Sequence, residues 1–198
     1  RARVLAAASA AIAAAVGIMV TGQGTPLLAR VGAAAFLSIV VFEDVRRMRI
    51  PNALTFPALG LSLLAATVSG GAAGFGAALL GALAGLAVLL IPYALGWLGA
   101  GDAKAMAVVG ALFGAPAVLP LAWWMIVLGG VLAIVVVAAR GGLVDLVVRW
   151  SLSLAATLAE RRLRYFGPAT PVAAEGLPFG VAMAYGVVAF SIWGIPWN

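Results

Sequence analysis

Six acidic residues are all the carboxylates in this 198-residue chain, and it contains no cysteine and no histidine. Thiol nucleophiles, disulfides, cysteine or histidine metal sites and Ser–His or Cys–His catalysis are therefore excluded. Asp, Glu, Lys, Arg, Ser, Thr and Tyr are left to do any chemistry. Two of the acids stand where a charge needs a reason. Asp44 follows the apolar run 27–42, and Asp102 opens the run 103–114. A charge inside the hydrocarbon of a bilayer costs about 2.5–3.5 kcal/mol on insertion scales. Two carboxylates brought into one site are the parts of an aspartic protease. One, ionised, acts as base toward a water, while the other, protonated, donates to the substrate carbonyl. At close range both cannot ionise, so one pKa rises and the pair shares a proton. Apart from Ser/Lys catalysis, this is the familiar peptidase chemistry that the composition still permits. A plainer reading stands beside it, with Asp44 a helix-end charge facing its own arginines and Asp102 the N-cap of the following helix.

The elements that must position these acids are membrane helices. The chain is 65% hydrophobic and 9% charged, against about 25% charged residues in a soluble domain. About 20 apolar residues cross a bilayer core. Seven candidate segments follow in order: 4–20, 27–42, 53–68, 75–98, 103–114, 117–139 and 177–195. The fifth is short unless it runs from Asp102 through Pro116 to about Leu119, so six or seven spans are expected. The connections are rich in Gly and Pro, at 21–26, 69–74, 99–101 and 115–116. Gly81/Gly85 and Gly110/Gly114 have the small-residue spacing of closely packed membrane helices. The fold expected is an all-α polytopic membrane protein, with residues 1–198 forming a single membrane-embedded domain.

The net charge of +6 is one-sided. With the N-terminus in the cytoplasm and seven spans, eleven of the twelve basic residues fall inside and Arg30 alone does not, as expected of cytoplasmic loops. Orientation and lipid headgroups explain these arginines better than nucleic acid does, so no nucleic-acid partner is expected. Residues 140–176 form a long cytoplasmic or interfacial loop. Its stretch 143–159 reads as an amphipathic helix lying in the interface, with Asp145 and Arg149 spaced for a helix-surface salt bridge. A span is the alternative. Residues 1–20 have the basic start and apolar run of a signal peptide, but read better as a first span. Trp123, Trp124, Trp193 and Trp197 suit interfacial anchors, and Arg161, Arg162 and Arg164 suit an orientation signal.

The local sequences carry more. Gly99–Lys104 reads GAGDAK, which fits GxGDxK. Asp44 precedes arginines and an Ile-Pro-Asn ending at Asn52, and Leu-Pro-Phe-Gly occurs at 177–180 before a further apolar run. This ordered set, covering about 37–185, resembles the type IV prepilin peptidase family of GxGD intramembrane aspartic proteases. The resemblance implies a GxGD aspartic-protease core, with Asp44 as the first catalytic aspartate and Asp102 as the second. Gly99 and Gly101 match the motif's glycines, expected to allow a tight turn and close substrate approach. Lys104 matches the family's lysine, expected to tune the aspartate pair or bind a headgroup. Pro51 and Asn52 match the element that ends a turn and starts the third span. Pro178, Phe179 and Gly180 match a late element expected to pack near the site. Glu43 neighbours Asp44, but adjacent helical residues point about 100° apart, and the family pattern selects Asp44.

The resemblance is to the short form associated with tight-adherence (Flp-type) pili. Longer members carry a cytoplasmic region, often with zinc-binding cysteine pairs, linked to N-methylation of the mature pilin. Peptidase activity without methyl transfer is therefore expected. The expected substrate is a prepilin or a prepilin-like protein, cut at the cytoplasmic face of a bacterial inner membrane, with membrane lipid as the other partner and no cofactor or metal. Pro57-Ala58-Leu59 matches an element of presenilin-like proteases, but there it follows the second aspartate, and the match is taken as chance. Two rival functions remain. A proton-coupled transporter would need acids near the bilayer midplane with broken helices there, whereas a non-catalytic scaffold would need neither aspartate.

Overall fold

The structure, a computed structural model, describes Ala8, Ala11, Ile12, Ala15, Gly17 and residues 27–95, 98–139, 141–160 and 178–195. Most of the expected first span, the cluster Arg161–Arg164, Arg140 and Trp197 lie outside these residues. The described elements are all helical: α1 (Leu27–Arg47), α2 (Asn52–Ala94), α3 (Ala100–Phe113), α4 (Ala115–Ala139), α5 (Leu143–Glu160) and α6 (Phe179–Trp193). By length and composition, α2 and α4 can each cross a membrane. Contacts divide the chain into two compact units, one of residues 1–129 with 178–198 and the other of residues 130–177.

The helix α2 is 43 residues long and would reach roughly 65 Å if straight. It is not straight, because Gly71 takes φ 60 and ψ −145 inside it. Only glycine adopts this backbone freely. A Cβ on Gly74 would collide with the carbonyl of Ala66, and Leu59, Leu63 and Ala66 pack on a cluster containing Ala78 and Ala82. The two halves, 52–70 and 72–94, are thus an antiparallel hairpin, each near the roughly 30 Å of a bilayer core. The expected connection at 69–74 shrinks to the break at Gly71.

The second half of α2 then packs antiparallel on α3, with backbone against backbone. A Cβ on Gly81 would collide with the carbonyl of Gly110, and one on Gly85 with that of Met106. Ala78, Ala82, Ala107 and Ala111 fill the seam. In lipid no hydrophobic force drives helices together, so small residues that permit this approach supply the packing. Gly81→Leu or Gly110→Leu must push the two helices apart. We expect either to destabilise the protein by about 1–3 kcal/mol or more, read as a lower unfolding temperature in detergent.

At α3 the longer of the two options for the fifth segment is not taken. The helix ends at Phe113 and does not run through Pro116, because Gly114 takes φ 83 and ψ 162 and α4 starts at once. At 14 residues it is only about 21 Å long. The first unit is completed by α4 against α6, where Cβ atoms on Gly186 and Gly129 would meet Met125 and Ala182. Trp124 also donates to the carbonyl of Gly194 (3.0 Å) and lies 5.3 Å from Trp193, ring to ring. An apolar cavity of about 630 Å³ opens between α1, the first half of α2 and α3, with Leu28, Ile39, Leu54, Leu61 and Val108 in its walls. The Ser62 and Ser69 hydroxyls there are bonded to carbonyls of their own helix.

In the second unit, Gly141 turns the chain with φ 73, and α5 follows. Arg149 Nε lies 3.1 Å from Asp145 Oδ2, as their spacing predicts. These two side chains are 13% and 25% exposed, whereas Val144 is 75% and Leu158 71% exposed. The ion pair is the less exposed part of this helix, and its large apolar side chains are exposed.

Candidate active site

One end of the first unit gathers the C-terminus of α1 and the N-termini of α2, α3 and α6. Asp44 lies in the last turn of α1 and is only 5% exposed. Its Oδ2 accepts the backbone N–H of Gly180 at 2.7 Å. Gly180 stands in the first turn of α6, whose N-cap is Pro178 and receives no side-chain cap. The first N–H groups of a helix lack intrahelical acceptors and carry the positive end of its dipole. Asp44 therefore supplies the missing cap from 136 residues away. The glycine is required by space, since a Cβ there would stand 2.8 Å from Val40 Cγ1 and 3.1 Å from Asp44 Oδ2.

Asp102 has the corresponding arrangement at α3. It is not the N-cap, a position held by Gly99, but the third helical residue. Its Oδ2 reaches back to accept the N–H of Gly99 at 3.0 Å, which is the acidic half of a capping box. Neither motif glycine takes a positive φ, so the tight-turn reason expected for them does not apply. Closeness replaces it. A Cβ on Gly99 would lie 3.3 Å from Asp102 Oδ2, and one on Gly101 would lie 3.0 Å from the Ile50 carbonyl oxygen. The motif thus lies on the corner that leads out of Asp44. There α1 ends, Met48 takes φ 50, Ile50 is buried, and Pro51 caps α2 in an extended conformation so that the helix starts at Asn52.

Both aspartates stand outside the apolar runs, Asp44 beyond Phe42 and Asp102 before Ala103. Burial pushes the Asp44 carboxyl above the usual range, with the Gly180 N–H working the other way. Burial also pushes Asp102 up to about 6, opposed by the Gly99 N–H and reinforced by the charge of Asp44. One oxygen of each aspartate accepts a backbone N–H. Glu43, by contrast, lies against Arg47 of its own helix at 3.1 Å.

Lys104 Nζ donates to Asn52 Oδ1 at 2.8 Å and stands 5.4 Å from the centre of the Phe56 ring. Sequence reasoning missed Phe56 and Val40. Each matters only through a partner distant in sequence, and nothing local marks it. Thr55, two per cent exposed one turn into α2, has no hydrogen-bond partner for its hydroxyl among the described residues.

The expected residues therefore fall into one cluster at the end of one helical unit. Asp44 with Gly180, Asp102 with Gly99, Gly101 with Ile50, and Lys104 with Asn52 are its four links. A model of the type IV leader peptidase family matches residues 31–134 of the chain. No curated protein and no solved structure matches it.

Proposed function

The chain belongs to the type IV leader peptidase family, and we propose that it is an aspartic endopeptidase with Asp44 and Asp102 as its catalytic pair. Its substrate is a prepilin or prepilin-like protein of the tight-adherence type, whose basic leader it removes at the cytoplasmic face of the inner membrane. It does so as a bundle of six or seven spans, without methyl transfer. The observation that carries this reading is two buried carboxylates at one end of the unit, each holding a helix N-terminal N–H and each driven toward its protonated form, with the charge of Asp44 felt at Asp102. With one proton between them, the ionised partner draws a proton from water and the protonated partner donates to the scissile carbonyl. A charge relay across a bilayer would want the acids amid the apolar runs, and these stand at helix ends.

The test is leader removal. Co-expression of the chain with a candidate prepilin should yield a shortened product on a gel, and a leader that stays intact in every substrate tried would overturn the proposal. The reaction also has a definite pH dependence. Asp102 is raised to about 6, so the shared proton is held below that pH and lost above it. The rate is expected to fall as pH rises through about 6, and to fall again in acid as the pair takes up a second proton. The two limbs belong to the pair and not to either residue. A rate that climbs steadily from pH 5 to pH 8 would contradict a shared proton.

A further inference from the structure

Asp102 and Lys104 are two residues apart on α3, so their side chains leave the helix about 200° apart. Asp102 turns toward Gly99 and the charge of Asp44, and Lys104 turns toward α2. The lysine therefore does not share the aspartates' space, and its ammonium is already engaged. Asn52 and Phe56 are one turn apart on α2, where side chains at i and i+4 share a face. Together they form a two-point seat, an amide oxygen at 2.8 Å and a ring face at 5.4 Å. The second distance is within the roughly 6 Å range of a cation–π contact. The seat joins the first turns of α2 and α3, next to the Ile50–Gly101 contact. A helix held at one point can still rotate about its axis, and a second contact on another side stops it.

We propose that Lys104 is a positioning residue whose ammonium, seated on Asn52 and Phe56, sets the rotation of α3 and so aims Asp102 at Asp44. The proposal rests on the peptidase reading and adds to it a role for the lysine at a distance from the reacting atoms. A misplacement of about 1 Å at a catalytic group can cost a hundredfold in rate. The seat acts through the aim of Asp102, so the loss is expected in kcat and not in KM.

The experiment uses the full chain, purified into lipid nanodiscs, with a synthetic peptide of basic leader and following apolar segment as substrate. Lys104→Met and Asn52→Leu are each expected to lower kcat by about tenfold or more, with KM held within about twofold. The double variant should be no slower than the slower single one, because both substitutions break the same link. Lys104→Arg, which keeps charge and donors, should recover much of the rate. The pH profile supplies the readout that mere loss of stability would not move. Carboxylates that drift apart couple less, so the bell should narrow in Lys104→Met. A silent Asn52→Leu, additive losses in the double variant or an unchanged bell would each overturn the proposal. So would a loss in Lys104→Met that disappears when anionic lipid is left out, since that outcome assigns the lysine to a headgroup. Wild type that cleaves nothing would instead remove the peptidase reading beneath it.

Discussion

Asp44→Asn and Asp102→Asn are each expected to abolish leader removal while leaving the fold intact. The amide is nearly the size of the carboxylate, and its oxygen can still accept the N–H that Asp44 takes from Gly180 and Asp102 takes from Gly99. The caps of α6 and α3 are thus preserved, and only the capacity to exchange a proton is lost. General acid–base catalysis contributes about 10²–10⁴ in rate. Either variant should therefore fall at least about a hundredfold, which on a gel is no visible product. Its unfolding temperature should stay close to that of the wild type. Glu43→Gln is the matching control, because Glu43 pairs with Arg47 along its own helix at 3.1 Å and not with either aspartate. Cleavage that survived both Asn substitutions would sink the catalytic assignment, and loss in only one would leave the other aspartate a structural cap.

How far the sequence reaches into this site depends on the range of each interaction. Apolar runs and Gly–Pro interruptions are local signals, and they place the helices to within a few residues. They cannot say which glycine breaks a helix and which lies inside one. Gly71 and Gly114 break because the chain needs φ values of 60 and 83 there, while Gly81 and Gly110 stay helical and yield to a neighbouring backbone. The longer option for α3, through Pro116 to about Leu119, is closed for this reason. Asp102 was misplaced by three positions as a cap because Gly99, which has no side chain to bond with, caps through its backbone conformation alone. The motif residues were legible as a set, but their reasons were not. Gly101 is small because of Ile50, Gly180 because of Val40 and Asp44, and Lys104 has Asn52 for a partner 52 residues away. Each reason is a tertiary contact, which a linear pattern records without explaining.

The contact between Gly180 and Asp44 makes the second strong prediction. Gly180→Ala adds one methyl group at a point where Val40 Cγ1 would be 2.8 Å away and Asp44 Oδ2 and Cβ 3.1 and 3.3 Å. Val40 is fully buried and Asp44 nearly so, which leaves neither much room to retreat. Inserting a methylene into a packed interior costs about 1–3 kcal/mol, and here the strain falls on the carboxylate itself. Relief requires either α6 to move outward, which lengthens the 2.7 Å bond from the Gly180 N–H, or Asp44 to turn away from Asp102. Both routes displace the proposed nucleophile-activating pair. Gly180→Ala should therefore lose at least about tenfold in cleavage rate, with a modest drop in unfolding temperature, and Gly180→Val should lose more of both. The order of the two effects identifies the cause. If Gly180→Ala melted like the wild type and cleaved like the wild type, the α6 N-terminus would not hold Asp44 in the working enzyme. If stability fell while the rate per folded molecule held, Gly180 would be a packing glycine only. The expected result is the third combination, in which rate falls further than stability, because the crowded atom is a carboxylate oxygen that must hold its place for the proton to be shared.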